Sequence, residues 1–232
     1  SKGSVSRMFS TIRAVINFTT RELGMSEISS FSSVYLGEDD ESLKAKRPTF
    51  PTDTIRFIQS QCHTMNDEAR WLIALISDTG MRLSEALGLT KTDVVLEEPH
   101  PHIILKEHPW RRLKTKASER LIPIVGETLW AAQQAHRHSD TDFLFPRYCN
   151  ERECKANSAS AALNKWLRPK VPSGCVIHSF RHSLRDRLRA VECPTEIADT
   201  LGGWALNGIG QHYGSGYPIK VLHKWMKKAV EG

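Results

Sequence analysis

The sequence predicts a mainly helical α+β fold with a small antiparallel β-sheet. Apolar residues recur at three- and four-residue steps in the N-terminal part of the chain and again in its second half, as in amphipathic helices. Between them, short apolar or β-branched runs at 94–96, 103–105 and 120–124 are separated by turns rich in Pro and His. Such runs are typical of strands. With 232 residues and 40% hydrophobic residues, the chain can bury a full core.

The first 46 residues are set apart from the rest. Residues 5–18 carry the apolar stripe of a helix, and the polar stretch 37–47, which contains four consecutive acidic residues at 38–41, reads as a linker. A single strong helix precedes this linker, and its apolar stripe has to pack against another part of the protein. We therefore interpret residues 1–46 as the end of a helical domain plus a linker, expect an N-terminal portion of the protein to be missing, and assign residues 47–232 to a second domain.

The elements of the second domain follow from caps, periodicity and breakers. Asn66 is the expected N-cap of a helix over 67–77, and the turn Thr79-Gly80 ends that helix. Pro172, Gly174, Pro194 and Pro218 mark later breaks. Together with the three strands, these signals predict helices at 52–62, 67–77, a short one from 84, and then 127–138, 158–167, 178–191, 195–201 and 219–229.

Composition limits the function classes. The longest apolar run, Trp71 to Ile76, is too short to cross a bilayer, and the N-terminus lacks the pattern of a signal peptide. We therefore expect no membrane partner and a cytoplasmic location, in the bacterial nucleoid or a host cell. The net charge of +6 favours a polyanionic partner without establishing one.

The five cysteines predict reduced thiols. Their count is odd, and their spacing contains no two-residue-spaced pair, which argues against a disulfide framework. A zinc site built from Cys149, Cys154 and either His136 or His138 is the alternative, but its spacing fits no common zinc motif. We therefore predict no metal.

Two motifs each combine an arginine with a supporting polar residue. In Thr79-Gly80-Met81-Arg82, a turn gives way to a helix, so backbone N–H groups and a guanidinium can face one anion. Glu85 follows one turn later and either holds Arg82 or forms a weak surface ion pair. His178 and Arg181 are three residues apart on a predicted helix, so they share a side and can face a cleft.

A tryptophan and a tyrosine complete the candidate site. Trp204 ends Leu201-Gly202-Gly203-Trp204, where its indole N–H can donate one hydrogen bond to a phosphate oxygen, or its ring can simply be part of the core. Tyr213 follows nine residues later in a segment rich in Gly and Ser, which is untypical of a packed core tyrosine.

In this order and spacing, the motifs resemble those of the tyrosine recombinases, the phage-integrase family. The resemblance extends over about residues 52–217 and includes Thr-Gly-x-Arg-x-x-Glu, Lys-Thr followed by Arg-x-Ile-Pro, His-x-x-Arg, and Leu-Gly-Gly-Trp with its later tyrosine. It implies that residues 47–232 form the catalytic domain and that residues 1–46 are the end of the core-binding domain. The implied catalytic residues are Arg82, Lys114, His178, Arg181, Trp204 and Tyr213, with Glu85 in support.

Trp204 and Lys114 are the two implied residues at which members of the family vary. Trp204 stands where most members of the family carry histidine, although some carry tryptophan. Lys114 best fits the Lys-Thr pattern, and Lys116 is the fallback because turn lengths vary there.

The resemblance also implies a reaction and partners. Tyr213 would attack a DNA phosphate to give a 3′-phosphotyrosyl link and a free 5′-hydroxyl, with no cofactor and no metal. The expected function is integration or excision of a mobile element such as a prophage or genomic island. The expected partners are double-stranded DNA attachment sites, further copies of the chain in a homotetramer joined through the C-terminal helix, and accessory DNA-bending or directionality proteins.

Other functions fit parts of this pattern. A type IB topoisomerase uses the same residue types to break one strand, and a non-catalytic DNA-binding protein could keep the fold. If Tyr213 were not the nucleophile, Tyr217 would be the next candidate.

Overall fold

A computed structural model describes residues 2–25, 34, 48–114, 118–204 and 216–232. The chain divides into two compact units, Ser1–Lys46 and Arg47–Gly232. In the first unit, helix α1 spans Lys2–Glu22, as the apolar stripe predicts. Several of its apolar side chains are exposed, among them Val5, Met8, Val15 and Phe18. The derivation of this unit from a core-binding domain stays a prediction.

The second unit is built around one buried helix. Helix α2 spans Thr52–Met65 and α3 spans Glu68–Thr79. Because α3 is apolar on nearly every side, it packs against α2 and against two later helices, α5 (Glu127–His138) and α7 (Ser179–Ala190). This central helix ends at the Gly80 turn, which leads to Arg82.

The N-cap of α3 differs from the prediction. The Asp67 carboxylate accepts the backbone N–H of Arg70 at 3.0 Å and caps the helix. Asn66 instead ends α2 at a positive φ of 43°, and its side-chain oxygen accepts the indole N–H of Trp71 at 2.8 Å. The prediction that Asn66 caps α3 was therefore wrong by one residue, because the tight junction needs a left-handed residue before the cap.

The predicted antiparallel sheet is confirmed. Strands β1 (Val94–Val95), β2 (His102–Leu105) and β3 (Arg120–Pro123) pair in the order β1-β2-β3, with Ile103 opposite both Val94 and Ile122. The remaining helices of the described part are α4 (Leu83–Leu87), α6 (Ala156–Leu167), α8 (Thr195–Gly202) and α9 (Ile219–Glu231), with 3₁₀ turns at Lys91–Asp93 and Arg168–Lys170. The mainly helical α+β class is thus confirmed.

The last helix packs on its own chain. Leu222, Met226 and Ala229 of α9 are buried, and the helix lies against α7, α8 and β3. The expected docking of this helix on a second subunit is not tested by a single chain and stays a prediction.

The cysteine expectation was wrong for one pair. Cys149 and Cys154 form a disulfide, because residues 148–155 make a tight antiparallel hairpin that brings their Cα atoms to 4.1 Å. The alternative zinc site loses both of its thiolates to this bond. In the described ranges, no group of three or more His, Cys, Asp or Glu residues could hold a metal ion, and no helix is long and apolar enough to span a membrane.

Candidate active site

Arg82 is held rigidly where α4 begins. Its backbone N–H donates to one carboxylate oxygen of Glu85 at 2.9 Å, and its guanidinium bonds the other oxygen. The same guanidinium nitrogen donates to the Ser118 hydroxyl at 3.0 Å. Glu85 is only 2% exposed. It is therefore a buried support for Arg82, and the alternative of a weak surface ion pair does not apply.

A second arginine approaches the same carboxylate from the sheet. Arg120, the first residue of β3, donates to Glu85 at 3.1 Å, to the carbonyl of Ser118 at 2.7 Å and to the carbonyl of Leu201 at 3.1 Å. From the sequence alone, Arg120 belongs to a strand pattern and to the Arg-x-Ile-Pro motif of the family resemblance, without a predicted role in the site. Its charge was the signal that it could belong to the site, because an arginine at the edge of an apolar run needs a charged or polar partner once it is buried.

The Glu85 carboxylate is ionised in this setting. Burial opposes its ionisation and is the largest influence on its pKa, but the combined charges and hydrogen bonds of Arg120 and Arg82 outweigh burial and hold the pKa below its usual value. Glu85 thus contributes one negative charge at neutral pH.

Arg181 lies beside this group on α7. Its guanidinium donates to the carbonyl of Gly80 at 3.0 Å and contacts that of Gly203 at 3.5 Å. Burial, followed by the positive charges of Arg82 and Arg120, lowers the pKa of Arg181 to about 10, although Glu85 opposes the shift. Arg181 therefore remains charged at neutral pH while it is largely removed from water.

Gly80 makes this approach possible. It adopts a φ of 58°, and a Cβ placed there would lie 2.7 Å from the Leu184 side chain and 3.4 Å from the Cα of Arg181. Only a glycine both tolerates this backbone conformation and lets the turn pack directly on α7. The turn thereby brings Arg82 and Arg181 to the same place.

The cluster carries excess positive charge. Within the described residues, three guanidinium groups, those of Arg82, Arg120 and Arg181, surround the single Glu85 carboxylate, and no described carboxylate pairs with Arg181. Buried charge of this kind calls for a counter-ion. Guanidinium groups suit the oxygens of a phosphate, so the cluster can bind one.

Trp204 borders the cluster. Its ring centre lies 4.9 Å from the guanidinium carbon of Arg181 and 4.5 Å from that of Arg185. The indole crosses directly over Gly202, where any Cβ would overlap the ring. Trp204 is partly exposed, packs against the edge of the core, and has an indole N–H that donates to none of the described residues.

Two further predicted residues, His178 and Lys114, are described and are exposed. His178 is exposed as the N-cap residue of α7, and its carbonyl accepts the N–H of Arg181 at 3.1 Å. Lys114 is exposed in the β2–β3 connection, and no hydrogen bond or ion pair links it to the described arginines. The base of this connection is fixed, because His108 bonds the Asp93 carboxylate at 2.9 Å and Arg111 donates to the carbonyl of Glu85 at 2.9 Å.

The remaining predicted residues, Lys116 and Tyr213, lie outside the described residues. Tyr217 is described, and its hydroxyl donates to the Glu196 carboxylate at 2.8 Å. This hydrogen bond to Glu196 is the main reason that the pKa of Tyr217 is raised. At neutral pH the Tyr217 hydroxyl therefore keeps its proton, which it donates to Glu196.

Comparison with known proteins assigns a family and supports the fold. The model of the phage integrase family matches residues 52–217. Among solved structures, the Tn1549 transposon integrase in complex with a circular intermediate DNA matches with a TM-score of 0.60 and 18% identity, over 96% of this chain and 74% of that chain. A complex of the same integrase with transposon right end DNA has a TM-score of 0.60 and 16% identity, over 99% and 80%. At these identities the likeness concerns the fold. The comparison with curated proteins returns no match.

Proposed function

Because the chain belongs to the phage integrase family and is a tyrosine recombinase, we propose that it cuts and rejoins DNA at specific sites through a 3′-phosphotyrosyl intermediate formed by Tyr213. The observation that carries this proposal is the cluster of the partly exposed Arg82 and the buried Arg120 and Arg181 around one carboxylate. Its substrate is double-stranded DNA at attachment sites.

The cluster supplies what attack on a phosphodiester requires. Negative charge builds up on the non-bridging oxygens as the nucleophile approaches, and fixed guanidinium groups in a site with little water stabilise that charge without reorganising. Arg82 and Arg181 take this role, because both are held by the protein while retaining excess positive charge. Arg120 sets the position and charge of Glu85, and so acts through Arg82.

The proposed step exchanges one phosphodiester for another. The Tyr213 oxygen bonds to phosphorus, the bond from phosphorus to the 5′-oxygen breaks, and Lys114, or Lys116, gives that oxygen a proton. His178 accepts the phenol proton or donates to the phosphate, and Trp204 donates one hydrogen bond. Because the phosphotyrosyl bond keeps the energy of the broken bond, a 5′-hydroxyl from another strand can reverse the step.

Assembly and biological role are part of the proposal. Four copies of the chain would meet on two DNA sites through α9, with DNA-bending or directionality proteins assisting. The mobile character of the element is supported by the likeness to a transposon integrase. We propose that the substrate sites are the ends of such an element, a prophage or genomic island.

Covalent trapping tests the nucleophile. The protein is incubated with nicked suicide DNA carrying candidate attachment sites from the DNA that flanks its gene, and the products are separated on a denaturing gel. We expect a protease-sensitive covalent band that Tyr213→Phe abolishes while DNA binding persists. Tyr217→Phe is the matched control and should keep the band, because the Tyr217 hydroxyl is bound to Glu196.

Two results would contradict the proposal. A covalent band that survives in Tyr213→Phe and disappears in Tyr217→Phe would move the nucleophile to Tyr217. Absence of the band on every DNA that the protein binds would indicate a DNA-binding protein without cleavage activity.

A further inference from the structure

Two guanidinium groups contact the Trp204 indole. The guanidinium carbon of Arg181 lies 4.9 Å from the ring centre, and that of Arg185 lies 4.5 Å from it. Both arginines project from α7, four residues apart and so on the same face of the helix. Arg181 belongs to the cationic cluster, but the proposed reaction gives Arg185 no part.

Arg185 is held in place by Asp199 of α8. Its guanidinium forms an ion pair with the Asp199 carboxylate, whose side chain is 12% exposed. The Asp199 carbonyl also accepts the backbone N–H of Trp204 at 3.0 Å. Asp199 therefore holds both the backbone of Trp204 and the Arg185 guanidinium, which contacts the indole ring.

The ring needs such lateral support. Trp204 follows immediately after Gly203, which ends α8 in a left-handed conformation with a φ of 59°. Gly202 offers a flat surface without a side chain. A ring at the end of a helix, over a bare backbone, can turn about its side-chain bonds unless neighbours on its faces prevent it. Besides the edge of the core, the two guanidinium groups contact the ring and limit this rotation, since cations are attracted to an indole face.

We propose that Arg185 and Asp199 are positioning residues for Trp204. They hold its indole against Arg181, so that the indole N–H and the Arg181 guanidinium face the scissile phosphate in one fixed arrangement. This inference rests on the proposed function. A misplaced donor reduces the stabilisation of the transition state more than it reduces the affinity for DNA. The reason is that the contacts to the phosphate backbone, which set the affinity, are spread over many residues.

A double-mutant cycle on single-turnover cleavage tests the inference. Arg185→Ala should slow formation of the covalent complex roughly tenfold, in the range that an ordered cation–π contact supplies, with the DNA dissociation constant within about twofold of the parent. Asp199→Asn should reproduce this defect. In a Trp204→Ala background, Arg185→Ala should have no further effect, because Arg185 acts through the ring. Arg189→Ala is the matched control one turn later on α7 and should cleave like the parent.

Additive defects of Arg185→Ala and Trp204→Ala would overturn the inference. So would a weaker DNA affinity with a reduced salt dependence, which is the signature of a direct phosphate contact. If Trp204→Ala does not fold, Trp204→Phe replaces it, because phenylalanine keeps a ring but lacks the N–H donor.

A spectroscopic arm separates this inference from the proposed function. The fluorescence of Trp204, obtained as the difference between the protein and its Trp204→Phe variant, should become more accessible to iodide and acrylamide in Arg185→Ala and in Asp199→Asn. Unchanged quenching would show that the pair does not hold the ring. This result needs no cleavage, whereas failure of the proposed function appears as a parent protein that forms no covalent complex.

Discussion

At the residue scale, Glu85 determines the electrostatics of the candidate site. It is the one described carboxylate among three guanidinium groups, and it sets the position of Arg82 through two hydrogen bonds. Removing its charge leaves Arg120 buried beside two other cations. Breaking a buried pair in this way is far more damaging than losing a surface ion pair.

Glu85→Gln should therefore destabilise the fold in a pH-dependent manner. The folded pKa of Glu85 lies below its usual value, so its contribution is complete above about pH 4.5 and is lost as the pH falls through the folded pKa. Urea unfolding should show a loss of roughly 3–5 kcal/mol at neutral pH, which becomes smaller below about pH 4.5.

Glu153→Gln is the control for this measurement, because Glu153 forms an exposed ion pair with Lys155. It should change stability by less than about 0.5 kcal/mol. If the Glu85→Gln defect were the same at every pH, its cause would be packing and not charge.

At the element scale, His223 of α9 contacts His100 in the turn between β1 and β2. The rings of His223 and His100 lie 4.9 Å apart between their centres. Burial lowers the pKa of His223, as do His100 and Lys227, while Glu231 opposes the shift. The charged form of His223 is therefore disfavoured while α9 is docked.

The docking of α9 should weaken as the pH falls. The folded pKa of His223 is below that of the unfolded chain, so its contribution is complete above about pH 6.5 and is lost below it. Hydrogen exchange of α9 peptides, corrected for intrinsic rates, should show easier opening at about pH 5.5 than at about pH 7.5. His223→Gln should remove this difference. If the variant kept the full pH dependence, another group would be responsible.

The same packing bears on assembly. Leu222 and Met226 face the chain's own core, so the proposed docking of these side chains on a second subunit would require α9 to leave this surface. A shift towards acidic pH therefore favours release of the helix, which the exchange experiment measures directly.

At the scale of the whole molecule, the net charge of +6 predicts salt-sensitive DNA binding. Each phosphate neutralised by Lys or Arg releases counter-ions, so affinity should fall by at least roughly tenfold between 50 and 200 mM salt. Titration of a fluorescent duplex measures this change. Tyr213→Phe is the control and should follow the same slope, because a phenol carries no charge at neutral pH. An affinity independent of salt would contradict a phosphate-dominated interface.

The sequence by itself determined the local structure and the order of the motifs. Helix periods, the Gly80 turn and the β-branched runs depend on neighbours within a few residues, so they are readable without the fold. The predicted roles of Lys114, His178 and Tyr213 stay predictions, and they come from motif spacing alone. The prediction that Asn66 caps α3 was wrong. At a junction of two residues, the backbone geometry decides which residue is the N-cap and which is left-handed, and the residue types alone do not show this.

Only the tertiary structure decided which charges meet. Arg120 reaches Glu85 from 35 residues away in the sequence, Arg181 binds the carbonyl of Gly80 from 101 residues away, and the Cys149–Cys154 hairpin closes against the expectation of free thiols. Which carboxylate an arginine contacts, and whether water is excluded around them, is settled by long-range packing. For that reason the sequence showed the candidate residues of a phosphate site, including Glu85 as a support for Arg82, whereas the burial of Glu85, its pairing with Arg120 and the contact of Arg185 with Trp204 became visible only in the folded chain.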